Sequence, residues 1–231
     1  MTLRKILFGL ALLSVAMNTI GATPLLATLE PEVLAPPANP AAEPSPNLPL
    51  VLEDEVFSSA YYDVLAILST TNRCSEFFGG SSTIDIFNEL IAKMRKHYLS
   101  ADIGIRMSGT TSSILNTITN REYRLFKNVA INANGAFYKS KYVNSFQSLP
   151  GIGTYKSDTR EARVLMLLHE LGHSVKADGG KWLLPDDGND EKLSRRNSSE
   201  IEKVCGKEIN TLRQTKGKAE LTAKADNLQQ H

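Results

Sequence analysis

The sequence predicts an α+β domain. Three observations carry that reading: apolar residues recur at helical spacing over residues 56–68 and 84–98, the period shortens to two around residues 103–107, and a stronger helical stripe follows residue 158. Setting aside two ends that are not globular in composition leaves about 160 residues, enough for one hydrophobic core.

The first end reads as a leader. Arg4 and Lys5 precede an apolar run over residues 6–17, and the small residues Gly21 and Ala22 follow, which is the pattern of a secretory signal peptide cleaved after residue 22. The run is short for a membrane span. Residues 23–50 then hold most of the prolines, eight of the chain's ten, with no aromatic residue among them. Each proline fixes φ and removes a donor, so this stretch is expected to be an extended, solvated linker. With 26 basic and 25 acidic residues the chain has no strong global field, and neither nucleic acid nor a membrane is an expected partner once the leader is removed.

The domain proper is expected over residues 51–213. Its first helix rests on Val56, Tyr61, Val64, Leu65 and Leu68, and its second on Ile84, Phe87, Leu90, Ile91 and Met94, extending to Tyr98 with His97 in its last turn. Ile103, Ile105 and Met107 alternate as in a half-buried strand, and residues 122–132 offer one or two more strands before a turn at Asn134-Gly135. Residues 140–154 are polar and read as an irregular loop. Asp158 with Glu161 three residues on suggests a capping box, and Val164, Leu168, Leu171 and Val175 form the stripe of the strongest helix.

That helix carries the sequence Leu168-His169-Glu170-Leu171-Gly172-His173. Residues four apart lie one turn above each other, so both imidazoles can reach a single ion with Zn–N distances of about 2.0–2.1 Å. Glu170 follows the first ligand and can take a proton from a water that the metal acidifies, the arrangement suited to peptide hydrolysis. The pattern arises by chance in roughly one chain of this size per hundred. Its bland counterpart is a pair of histidines with no metal.

A catalytic zinc ion (Zn2+) needs a third protein ligand and an open position. No histidine lies between His173 and the terminal His231, so the third ligand is expected to be an oxygen donor. Asp187 is the first choice, with Asp190 and Glu200 next. The same aspartates also read as a solvated turn.

On the His169-Glu170-Leu171-Gly172-His173 helix, residues 102–205 resemble the zincin metallopeptidases. Pro185, Asp187, Asp190, Ser194, Asn197, Ile201 and Cys205 also look like a recurrent ending in uncharacterised secreted bacterial proteins with this helix. The resemblance implies a small mixed sheet with an active-site helix and flanking helices around the metal. Gluzincins complete the site with a later helical Glu and aspzincins with an Asp; Glu200 is the position matching the first and Asp187 the second. It also implies a peptide or protein substrate bound as an extended strand along the sheet edge, with residues 129–134 as the expected edge. Some zincins supply a phenol to the oxyanion, a role for which Tyr138 and Tyr142 are candidates, although packing is the commoner use of such tyrosines.

In an exported chain, secreted or periplasmic, the only two cysteines are expected to form one disulfide, Cys74–Cys205. In the loop-entropy account that closure is worth about 4–5 kcal/mol. Residues 214–231 are charged and polar and are expected to form a tail. Three functions compete: a secreted zinc peptidase or related amide hydrolase, a non-catalytic exported zinc-binding or effector protein, and a metal-free structural domain. The first is favoured because a purely structural zinc has no need of a carboxylate beside its first histidine.

Overall fold

The computed structural model describes residues 48–100, 104–117, 120–177 and 179–228, with side chains described no further than Leu212. The expected leader and nearly all of the proline-rich linker lie outside the described residues, as does Ile103 of the expected strand. Leu48 and Leu50, which precede the expected boundary at residue 51, are core residues, and helix α1 spans Pro49–Glu53.

Helix α2 (Glu55–Ser69) starts where Asp54 accepts a hydrogen bond from the Phe57 backbone amide, and it buries Phe57, Ala60, Tyr61, Val64, Ile67 and Leu68. Asn72 and Ser75 form a reciprocal capping box at the start of α3 (Arg73–Phe78). The helix ends at Gly79, whose φ of +107° is a conformation that L side chains rarely adopt; a Cβ there would also lie 2.5 Å from the Arg121 guanidinium. A single 3-10 turn, Gly80–Ser82, leads into α4 (Thr83–Lys93).

Here the expected helix is too long. Residues 94–98 leave α4, and Met94–His97 form strand β1. Met94 closes the apolar stripe, but Arg95, Lys96 and His97 are exposed and give a helix no face to bury, whereas the extended backbone pairs with a neighbouring strand. His97 thus lies in a strand, not in a helix C-terminus.

Strands β2 (Ile105–Asn116) and β3 (Arg121–Asn132) complete a mixed sheet of order β1-β3-β2, parallel between β1 and β3 and antiparallel between β2 and β3. Residues 122–132 are therefore one strand, and it is central. The expected substrate edge is corrected accordingly: Val129, Ala130, Ile131 and Asn132 pair with β1 on one side, and Val129, Ala130 and Ile131 with β2 on the other, so no free edge remains there. The turn at Asn134-Gly135 forms as expected, with the Gly135 amide bonded to the Asn132 carbonyl.

Helix α5 (Arg160–Ser174) is capped by Thr159, not by the expected Asp158, which has a positive φ and pairs with Arg163 instead. The helix is buried on nearly every side, with Val164, Leu165, Leu167, Leu168 and Leu171 wholly enclosed. Such a helix is a core element, held by the elements around it. Arg160 ties its start to α2 through Asp63, at 2.5 and 2.6 Å. Helix α6 (Glu191–Leu228) packs along α5 through Ile201, Cys205 and Ile209, and its backbone stays helical well into the segment expected as a tail. Cys205 is bonded to Cys74 of α3, as expected. No helix among the described residues is long and apolar enough to cross a membrane.

Candidate metal centre

The helical repeat brings His169 and His173 to one face of α5, near its C-terminal end, where both rings are buried. The chain then returns along the end of the helix. Leu183 N–H bonds to the Val175 carbonyl at 2.9 Å and Leu184 N–H to the Gly172 carbonyl at 3.2 Å. This return needs Gly172, because a Cβ there would lie 2.6 Å from the Leu184 side chain. Two residues beyond Pro185 it delivers Asp187 to the histidines.

Three donors converge. The His169 and His173 Nε2 atoms are 3.0 Å apart, Asp187 Oδ2 is 3.0 Å from His169 Nε2, and Asp187 Oδ1 is 3.6 Å from His173 Nε2. A tetrahedral zinc with ligands at about 2.0–2.1 Å keeps its donors about 3.3 Å apart. The observed separations bracket that value, and two imidazoles with one carboxylate are a donor set zinc accepts. These residues therefore fit a metal.

The surrounding groups hold this triangle. Ser198 Oγ lies 2.9 Å from His169 Nδ1, and Asn197 Nδ2 donates to Asp187 Oδ2 at 3.3 Å and to the Pro185 carbonyl at 3.0 Å. Arg124, buried on β3, donates through Nε to the His173 carbonyl at 2.6 Å and grips Asp186 with both terminal nitrogens. Its guanidinium also stacks 4.3 Å over Trp182. The consecutive aspartates divide their work: Asp186 fastens the loop to the sheet, and Asp187 faces the histidines.

Electrostatics follows burial and pairing. Burial alone would raise the Asp187 carboxyl, but its contacts with His169 and His173 hold it far below the usual carboxylate range. Burial opposes charge on His173, yet Asp187, Glu170 and Asp186 together raise it. Glu170, half-buried beside the pair, is raised by burial against the pull of the two histidines.

The other candidates lie elsewhere. Asp190 caps α6, accepting from the Leu193 amide at 3.0 Å, and Glu200 pairs with Lys203 on the exposed face of that helix. Tyr138 turns to the ion pair of Asp54 and Lys96, with the ammonium 4.0 Å over its ring, and is a packing residue. Tyr142 sits in the hairpin-like loop closed by its amide bond to Gln147. Spacing and periodicity do not single out Arg124, Asp186, or the contacts of Asn197 and Ser198. An arginine set between the apolar Tyr123 and Leu125, and two poor helix formers at the head of the α6 stripe, are the available signals.

No protein-family model, no curated protein and no solved structure matches the chain.

Proposed function

We propose that this protein is an exported zinc-dependent peptidase, an amide hydrolase of zincin-like organisation, with His169, His173 and Asp187 as metal ligands and Glu170 as general base. The observation that supports it above all is the convergence of three metal-type donors beside a glutamate that is no part of the triangle. A structural site has no use for that fourth group.

When bound, zinc supplies Lewis acidity toward a carbonyl oxygen and makes a nearby water more acidic. The protein residues do the rest. Both imidazoles are buried with their Nε2 atoms facing Asp187, which contributes one negative charge; three protein ligands would leave a tetrahedral ion one further position. Glu170 takes a proton from the attacking water at a carboxylate oxygen and hands it to the leaving amine nitrogen, as the new C–O bond forms and the C–N bond breaks. The substrate is a peptide or protein. The leader pattern at residues 1–22 and the Cys74–Cys205 bond support action in an oxidising, extracytoplasmic compartment.

Glu170→Gln tests the assignment. It is expected to keep one zinc per chain while cleavage of a mixed peptide library, read by mass spectrometry, drops by about 10²–10⁴-fold. Unchanged cleavage in this variant removes Glu170 from the chemistry, and a zinc-loaded wild type that cleaves nothing at any pH favours the non-catalytic binding protein.

A further inference from the structure

The buried stripe of α6 begins with two polar residues. Ile201, Cys205 and Ile209 are wholly enclosed against the core, and Asn197, which continues this four-residue spacing backward, is 1% exposed; its neighbour Ser198 is 7% exposed. An apolar side chain would serve packing at either position, and burying a polar one costs stability unless its hydrogen bonds are made. Both make theirs to the donor triangle or the turn that carries it.

We infer that Asn197 and Ser198 are positioning residues that set the metal affinity of the site, Ser198 by fixing the tautomer of His169 and Asn197 by fixing the Asp187 carboxylate. The inference rests on the metal-binding reading proposed above.

For His169 to present its Nε2 lone pair, the ring proton must sit on Nδ1, and Ser198 Oγ is the acceptor placed 2.9 Å from it. His173 has no such partner: its Nδ1 is buried without a hydrogen bond among the described residues. The pair of histidines is thus asymmetric. One ring is held at Nδ1 by a hydrogen bond from α6, and the other has no hydrogen bond at Nδ1 among the described residues.

Asn197 acts on the third ligand. Its amide bonds the Pro185 carbonyl and Asp187 Oδ2 together, spanning the two residues over which the loop turns toward the histidines. Without it the carboxylate would keep its sequence position and lose its aim. Neighbouring residues on one helix therefore grip one imidazole and one carboxylate, which makes α6 the element that relates the loop ligand to the helix ligands.

The test is zinc affinity of the whole mature chain, measured by competition with a chromophoric chelator, alongside the melting temperature of the metal-free protein. Ser198→Ala is expected to weaken zinc binding about 10–100-fold, the usual cost of losing a ligand's outer partner, while the metal-free melting temperature stays near that of the wild type. Ser198→Thr, which keeps the hydroxyl, is expected to recover most of the loss, and Asn197→Ala to weaken binding by a similar factor. Cobalt-loaded Ser198→Ala is expected to show an altered visible absorption band. If Ser198→Ala and Asn197→Ala bind zinc as the wild type does, the inference falls and the metal site stands. If the wild type takes up no zinc, both fall.

Discussion

Helix α5 and the loop at residues 183–190 each bring ligands to the same point by opposite means. The histidines are preset: a helix enclosed by the core repeats every 3.6 residues, and nothing further is needed to put His169 above His173. Asp187 lies on a largely exposed loop with no regular structure of its own, and its place depends on tethers: Arg124 through Asp186, Asn197 from α6, and the backbone bonds of Leu183 and Leu184 to the end of α5. The site is therefore only as well ordered as its loop. Changes that loosen the tethers should act on metal affinity, as should loss of the Ser198 contact to His169, while changes that touch neither should act on stability alone.

The largest expected effect comes from the covalent tether of the helix that carries Asn197. Replacing both Cys74 and Cys205 by Ser removes the closure between α3 and α6 and is expected to cost about 2–5 kcal/mol in urea unfolding. The variant should also bind zinc more weakly in folded protein at low urea. Equal zinc affinity would mean that α6 keeps its place by packing alone.

Arg124→Ala comes next. It leaves the buried His173 carbonyl without its donor and frees Asp186, at an expected cost of about 1–3 kcal/mol. Because the same guanidinium fastens the loop, zinc affinity should fall with it. A loss of stability with unaltered affinity would separate the loop from the sheet in function.

Asp190→Ala is the smallest and acts as a control on the same loop. It removes the cap of α6, worth about 1 kcal/mol, but touches no donor, so thermal unfolding shifts while zinc binding does not.

The same contrast explains what could be read from the sequence. The motif of α5 and the stripe through Val164, Leu168 and Leu171 were legible, because periodicity and ligand spacing are local properties; its ends were not, since the cap is Thr159 and Val175, expected in the stripe, is already extended beyond the helix. The choice among Asp187, Asp190 and Glu200 was open on spacing, since a run of aspartates beside glycine looks the same as a turn, a cap or a ligand. What separates them is the antiparallel return of residues 183–184 onto α5, a long-range pairing. Strand β1 was missed for a related reason: residues 94–97 continue a helical stripe for one apolar residue only, and their pairing with β3 lies beyond any local window. The centrality of β3 was likewise invisible until β1 was found.

The metal centre is tested most directly by the zinc content of the mature chain purified without chelator, set beside Asp187→Ala and Glu200→Ala. One equivalent is expected in the wild type and in Glu200→Ala, and little or none in Asp187→Ala. Zinc absent from the wild type, or retained in full by Asp187→Ala, would contradict it.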